Sequence, residues 1–492
     1  MPSHPSIFRA ICWTVLLVWL VVMVQQTVKP LPPGVSVASA ATVMHESQIE
    51  FLYDLTTHDS VGRPIVEQQI FDAVLAAIDG ANTFIVLDFF LFNDDMGAVG
   101  DNAKGRLRPL SRELTDRLLA RKAAVPDLQV LFITDPINDF YGSRPSLLLA
   151  ELERSGVHIV RTDLKRLRAS NPAYTSLWLM FAQWFGNSPG GTLPDPFRGD
   201  GKVSIRSWLA LANFRANHRK VIVADTTDGD WLGIVTSGNP HDASSLHSNV
   251  AWRFRGDLAQ AALESELEVA RFSGWQGSIE TGKRSRPTIN APATLTANHV
   301  TEEAIREGLL GSIAKAASGD EITLAMFYLA DRTVIDALLD ASQRGAHVRL
   351  ILDPNKEAFG LEKDGVPNRP VATELIEKSG GKIEVRWYRT QGEQFHTKLA
   401  MVKTASQLTA SLGSANLTRR NLGNYNLEAN LQVAIPIDSQ LARQLKEYFD
   451  LLWHNDREKG IEYTASFEAY RDESKLKYWR YRIMEATGLS TF

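Results

Sequence analysis

The chain has 492 residues, 44% hydrophobic and 22% charged, a balance that excludes a disordered or fibrous class. Its length suffices for two domains that each bury a core. A formal net charge of −4 gives no general pull toward nucleic acid, and the single cysteine, Cys12, excludes an internal disulfide and a cysteine-based metal cage.

The first segment is ICWTVLLVWLVVMV, Ile11 to Val24, an apolar run extended upstream by Ile7 and Phe8. With that extension it approaches the roughly 17–25 residues that span a bilayer. Residues 1–26 are therefore expected to form a signal-anchor helix, and 27–45 a linker. The small residues Ala38 to Ala40 resemble a cleavage site, which leaves a cleaved, secreted form as an alternative. The stiff KPLPPG between run and site favours the anchor. A buried core helix is the third reading. The amino terminus and Arg9 before the run, with Lys29 after it, place the bulk of the chain on the extracytoplasmic side.

The remainder repeats itself. Glu67 to Phe92 reads as an amphipathic helix, a turn and an apolar strand, and Glu302 to Leu329 follows the same plan. Leu114 to Pro136 matches Val334 to Pro354, each a helix-to-strand unit ending in Asp-Pro, which stops a strand. Leu149 to Val160 answers Ala372 to Val385, including the Ser-Gly at the helix end. Helical periodicity alternating with short β-branched runs predicts an α/β chain. We expect two tandem α/β/α sandwich domains with mixed sheets, related by a pseudo-two-fold axis and sharing one active site. The first domain covers 46–272 and the second 298–470. Residues 273–297, polar and broken by Pro and Gly, are the linker, and 471–492 a C-terminal tail.

Each half leads to a His-x-Lys: NHRKVIVAD, Asn217 to Asp225, and FHTKLAMVK, Phe395 to Lys403. Residues i and i+2 of a strand share a face, so His218 with Lys220, and His396 with Lys398, can enter one cleft. One such pair carries little weight by itself. Here Asn239 follows His218 by 21 residues and Asn416 follows His396 by 20, with Ser237 and Ser414 each two positions earlier. Two matching triplets in two repeats point to a shared site.

These motifs resemble the phospholipase D superfamily, whose signature is His-x-Lys-x4-Asp followed by a Gly-Ser-x-Asn-like turn. The resemblance covers about Gln48 to Asp456 and is greatest to bacterial phospholipase D-like and cardiolipin synthase-like proteins. It implies metal-independent transfer at a phosphodiester through a covalent phosphohistidine, with no cofactor. The residue types suit that chemistry. One neutral imidazole can attack phosphorus while the other, protonated, gives its proton to the leaving oxygen. Lys220 and Lys398 supply positive charge, and Asn239 and Asn416 amide donors. Zinc chemistry finds no ligand set at familiar spacing.

The second copy departs from the pattern, with Lys403 where the first has Asp225. That position falls at the far end of its strand, so we expect a local supporting role and two working copies. Glu428, 32 residues after His396, matches the family's carboxylate that bonds a catalytic His, and Asn249 stands in the corresponding place of the first half. A carboxylate behind His396 makes it the better nucleophile, whereas the family pattern points to the N-terminal His. The roles stay open at this stage. Arg419 and Arg420 are candidate phosphate ligands. A phospholipid substrate is favoured by the anchor and by the aromatic stretch Ala173 to Gly186, which reads either as a core helix or as an interfacial element. The alternatives are nucleic acid or another phosphodiester, for which the basic spots (Lys283 to Arg286, Arg386 to Arg389, Thr418 to Arg420) are scattered, and a non-catalytic membrane-bound module. No obligate protein partner is inferred.

Overall fold

Alternating apolar helices and strands dictate the architecture of a computed structural model that describes residues 4–59, 61–96, 107–198, 201–286, 292–358, 361–456, 458–490 and 492. The chain begins with α1 (His4–Val28) and β1 (Thr42–Met44). The first half then runs β2 (Ile49–His58), β3 (Pro64–Gln68), α2 (Ile70–Gly80), β4 (Phe84–Phe89), α3 (Leu110–Ala124), β5 (Gln129–Thr134), α4 (Leu147–Arg154) and β6 (His158–Arg161). It continues through α5 (Pro172–Met180), a short ribbon of β7 (Leu193–Pro194) and β8 (Lys202–Val203), and α6 (Ile205–Leu211). It closes with β9 (Lys220–Asp225), β10 (Trp231–Thr236), β11 (Asn249–Arg255) and α7 (Asp257–Phe272).

The second half repeats the plan with β12 (Leu295–Thr301), α8 (Glu303–Lys315), β13 (Glu321–Met326), α9 (Arg332–Gln343) and β14 (His347–Leu352). A ribbon of β15 (Glu357–Ala358) and β16 (Leu361–Glu362) precedes α10 (Asn368–Ser379), β17 (Ile383–Tyr388), β18 (Lys398–Lys403), β19 (Gln407–Gly413) and α11 (Arg419–Leu422). The last elements are β20 (Ala429–Pro436), α12 (Gln440–His454), β21 (Thr464–Ser466) and α13 (Lys475–Thr487).

The duplication is preserved in strand order. One sheet runs β3-β2-β11-β10-β9-β4-β5-β6 and the other β1-β12-β20-β19-β18-β13-β14-β17-β21. Seven strands correspond one to one, from β2 with β12 to β6 with β17. In each sheet the last three of these pair in parallel and the rest antiparallel. Both sheets are therefore mixed. The matched Ser-Gly signals end their helices as expected, with Gly156 at φ 86° and Gly380 at φ 63°, where a Cβ would be strained.

The helices α2, α3 and α4 cover the outer face of the first sheet, and α8, α9 and α10 that of the second. Between the sheets, α7 and α12 share a buried cluster with strands of both halves. Phe51 packs its ring 5.2 Å from Tyr448 there and 5.7 Å from Trp252. Burying each such ring stabilises the fold by about 2–3 kcal/mol, so the halves are held together by core-like packing. Two peripheral segments do more than their sequence conveys. Residues 27–45, expected as a linker, include β1, whose Thr42 lies opposite Ala297 at the edge of the second sheet. Residues 471–492, expected as a tail, form α13, with Tyr481 and Phe492 buried in the second half's core. Between α7 and β12 lies an irregular connection, of which 287–291 fall outside the described residues. The helix α1 is long and apolar enough over Ser6–Val28 to cross a membrane.

Candidate active site

The His-x-Lys segments reach the same place because each precedes a central strand, His218 before β9 and His396 before β18. Asp135 and Asp353, the twin Asp-Pro strand ends, anchor the two segments. Asp135 Oδ2 accepts the Asn217 N–H at 2.7 Å and Asp353 Oδ2 the Phe395 N–H at 2.8 Å. Each half then reaches into the other. The His218 N–H donates to Leu427 O at 2.9 Å, and the Leu427 N–H to Ala216 O at 3.0 Å. The Ser248 N–H donates to Gln394 O at 3.0 Å.

This crossing corrects the expected pairing of Glu428 with His396. Glu428 lies behind His218, with Oε1 2.9 Å from Nδ1. Asn249 lies behind His396, its Oδ1 3.1 Å from Nδ1. The residue that is near in sequence is carried across the pseudo-two-fold by the pairing at Leu427. Both rings are gripped through Nδ1, which leaves Nε2 as the nitrogen available for chemistry. The two serines play equivalent parts. Ser237 Oγ donates to Asn249 Oδ1 at 3.0 Å, and Ser414 Oγ donates to Glu428 Oε2. Asn421 Nδ2 donates to the other Glu428 oxygen.

His218, His396, Asn239 and Asn416 line one cavity of about 470 Å³, and the rest of its wall is largely aromatic and apolar. Asn239 Oδ1 accepts the Leu91 N–H at 3.2 Å, while Asn416 Oδ1 is buried without a hydrogen-bond partner among the described residues. Arg420 is part of the wall. Arg419 is directed elsewhere, donating through Nη2 to the Tyr425 hydroxyl at 2.8 Å. The lysines lie behind the wall. Lys220 Nζ donates to His218 O at 2.7 Å, 5.3 Å from the Phe90 ring centroid. Lys398 Nζ donates to His396 O at 2.9 Å, 5.4 Å from the Phe327 ring centroid.

Burial governs the charges. It pushes His218 down to about 4, Glu428 only partly opposing it. It pushes His396 well below the ordinary imidazole range, with Lys398 adding to the effect. Lys220 is pushed down to about 7 by burial, against the attraction of Glu428, and Lys398 well below its ordinary range by burial and by Lys220. Glu428 pays a desolvation cost that His218 and Lys220 outweigh, so it stays below the usual carboxylate range. Burial thus favours the uncharged form of both imidazoles, and an entering anion favours protonating one of them. Among the described residues no group of three His, Cys, Asp or Glu is placed to hold a metal ion.

The two motifs also differ at their last position, at the far ends of β9 and β18. Asp225, at the far end of β9, accepts the Asn82, Thr83 and Phe84 N–H groups at 2.9–3.1 Å. Lys403 instead pairs with Glu321 at 2.7 Å. Three features are not legible in the sequence. Arg219, the middle residue of the first motif, is fully buried with Glu302 at 2.8 Å and Glu266 at 3.3 Å. Glu302 also accepts the Glu428 N–H at 2.9 Å, which ties the first His-x-Lys to the carboxylate behind it. His247 lines the cavity with its ring 5.9 Å from that of His396. The twin Asp-Pro pairs are visible signals for the Asp135 and Asp353 hooks; the Arg219 cluster and His247 have no counterpart in the other repeat to mark them.

Residues 309–453 match a family model described as "Cardiolipin synthase, PLD-like domain". The chain is 24% identical over 430 residues to cardiolipin synthase A of Pseudomonas entomophila, covering 84% of this chain and 71% of that one. It is 24% identical over 432 residues to cardiolipin synthase A of Pseudomonas putida, with the same shares covered. The crystal structure of phosphatidylserine synthase from Haemophilus influenzae shares the fold, with a TM-score of 0.56 at 12% identity over 93% of this chain and 96% of that one. Relatives that span both halves and a family model on the second agree, and the chain is similar throughout to cardiolipin synthase-like proteins of the phospholipase D superfamily.

Proposed function

We propose that the protein transfers a phosphatidyl group between alcohols through a covalent intermediate on His218, with His396 as general acid and base. The observation that carries this reading is the crossed support of the rings. A carboxylate behind His218 raises its nucleophilicity and stabilises the positive charge that forms on attack. The amide behind His396 orients the ring without adding charge, which suits a group that must give up its proton.

In the first step the His218 Nε2 lone pair forms a bond to phosphorus as the P–O bond to the leaving alcohol breaks. Protonated His396 gives its proton to the departing oxygen. In the second step His396 takes a proton from the acceptor hydroxyl, whose oxygen attacks phosphorus as the P–N bond breaks and frees His218. Lys220 and Lys398 act from behind Phe90 and Phe327 as a source of positive potential, and Asn239, Asn416 and Arg420 meet the phosphoryl oxygens. The aromatic wall of the cavity suits a glycerolipid, and the similar proteins named cardiolipin synthase favour a second lipid alcohol over water as acceptor.

The test uses the full-length protein in detergent micelles with phosphatidylglycerol, products being followed by mass. Expected are a lipid carrying two phosphatidyl groups on one glycerol, with free glycerol released in equal amount, and loss of both in His218→Ala and in His396→Ala. Full activity in either folded variant contradicts the two-histidine mechanism, and phosphatidic acid as the sole product contradicts transfer.

A further inference from the structure

The aromatic insertion between β6 and β9 is not needed for the chemistry above, yet it is bound to α1. The chain leaves the end of α1 at Lys29, whose Nζ donates to Lys165 O at 2.6 Å, while Arg168 Nε donates back to Lys29 O at 3.0 Å. The insertion then runs along α1. The Ala169 N–H donates to Gln26 O at 2.9 Å, and the Trp19 indole N–H donates to Ala173 O at 3.0 Å. Seven residues of helix separate Gln26 from Trp19, so α5 begins roughly 10 Å further along α1 than Ala169 does.

If α1 lies in a bilayer, that contact sets the depth of α5. The hydrocarbon is about 30 Å thick and each leaflet about 15 Å deep, so a point roughly 10 Å inward from Gln26 lies within one leaflet. The composition fits. No charged residue occurs from Ala169 to Pro194. Leu177 and Phe181 are half exposed, Trp184 is 71% and Phe185 74% exposed, and on the neighbouring α6 Ile205 is 59% exposed. Two exposed basic residues, Lys165 and Arg166, sit at the level of the end of α1, while Arg206 of α6 donates to Gly186 O at 3.1 Å. Aromatic side chains at depth with cations above them match the layering of a bilayer surface.

We propose that α5, the turn after it and the outer face of α6 form a monotopic wedge immersed in one leaflet beside α1, with Lys165 and Arg166 against anionic headgroups. This wedge rests on α1 lying in the membrane and is independent of the transfer chemistry. It also gives the site its access. Trp208 and Leu211 of α6 line the catalytic cavity, so one short helix separates the reacting groups from the acyl chains.

The test places a single nitrobenzoxadiazole label on the full-length protein in a Cys12→Ser background, in vesicles of phosphatidylethanolamine and phosphatidylglycerol carrying acyl-chain doxyl quenchers. Labels go on Phe185→Cys, with Trp184→Cys as the second variant, on Trp13→Cys within α1, and on Leu476→Cys of α13 as the exposed control. The wedge predicts roughly twofold or greater quenching at 185, 184 and 13 and none at 476. Quenching at 13 but at neither 184 nor 185 places the insertion outside the bilayer and overturns the proposal. Absence of quenching at 13 as well removes its premise and overturns it too. A blue-shifted label at 185 that doxyl does not quench means that protein, such as a second copy, covers the face, and this also overturns it. None of these readouts depends on turnover, so they separate this proposal from the catalytic one.

Discussion

Replacing Glu428 with Gln keeps the size of the side chain and removes its charge, and the structure sets what that costs. Glu428 is fully buried and accepts three hydrogen bonds, from His218 Nδ1, Ser414 and Asn421. A Gln has one accepting oxygen and one donating nitrogen, so it cannot serve all three. If the nitrogen faces His218, Nδ1 must accept and the proton moves to Nε2, which removes the attacking lone pair. If the oxygen faces His218, the tautomer survives but the imidazolium formed on attack loses its counter-charge. A full charge pair at 2.9 Å is worth at most about 6 kcal/mol at an effective dielectric near 20. With roughly half of that offset by easier desolvation, the barrier rises by about 3–4 kcal/mol, or about 10²–10³ in rate. Asn249→Ala removes a single neutral hydrogen bond from His396, worth about 1 kcal/mol, and should slow the reaction only about fivefold to tenfold. Single-turnover glycerol release measures both. A Glu428→Gln enzyme within threefold of wild type, or an Asn249→Ala enzyme that is the slower of the two, would show that the Glu428 charge does not assist attack by His218.

With His218 attacking as the neutral ring and His396 giving its proton, kcat/KM should rise with pH through about 4 and begin to fall below about 7, first as His396, held well below the ordinary imidazole range, loses its proton and then as Lys220 does. An acid limb near the ordinary imidazole value would show that burial does not control His218. Glu302→Gln leaves the fully buried Arg219 short of a counter-charge and should lower unfolding stability by about 3–5 kcal/mol, read from the denaturant midpoint; a loss under about 1 kcal/mol would show that the cluster relaxes freely. Lys403→Asp restores the signature residue but loses the partly exposed pair with Glu321. Activity should stay within twofold and stability fall by up to about 1 kcal/mol, and a tenfold gain in activity would contradict the supporting role given to that position.

How much of this is legible in the sequence depends on the range of the interaction. Helix and strand periods are local, so the twin helix-to-strand units can be read from the sequence, and the two sheets place their seven corresponding strands in the same order. The His, Lys, Asn and Ser residues are likewise visible because duplication prints each of them twice. The partners of the rings are not, since contacts across a pseudo-two-fold leave no spacing in the chain. Glu428, close to His396 in sequence, is delivered to His218 by the pairing of Leu427 with Ala216. The burial of both lysines is also hidden, because alternation on a strand gives a face and not a depth. The Val37 to Met44 stretch carries small and β-branched residues with no sharp alternation, and only the unpaired edge of β12 makes a strand of it. The insertion from Ala173 to Gly186 reads equally as core or interface, and its contact with α1 is a tertiary fact that neither segment announces.

Whether His218 carries the transferred group is decided by where the phosphoryl group is attached. Full-length wild-type protein is mixed with phosphatidylglycerol, quenched in alkali within the first turnover to preserve a phosphoramidate, digested and mapped by mass. Expected is a phosphatidyl or phosphoryl adduct on the peptide containing His218, and none on the peptide containing His396. An adduct on His396, or sustained transfer with neither histidine modified, would contradict attachment to His218.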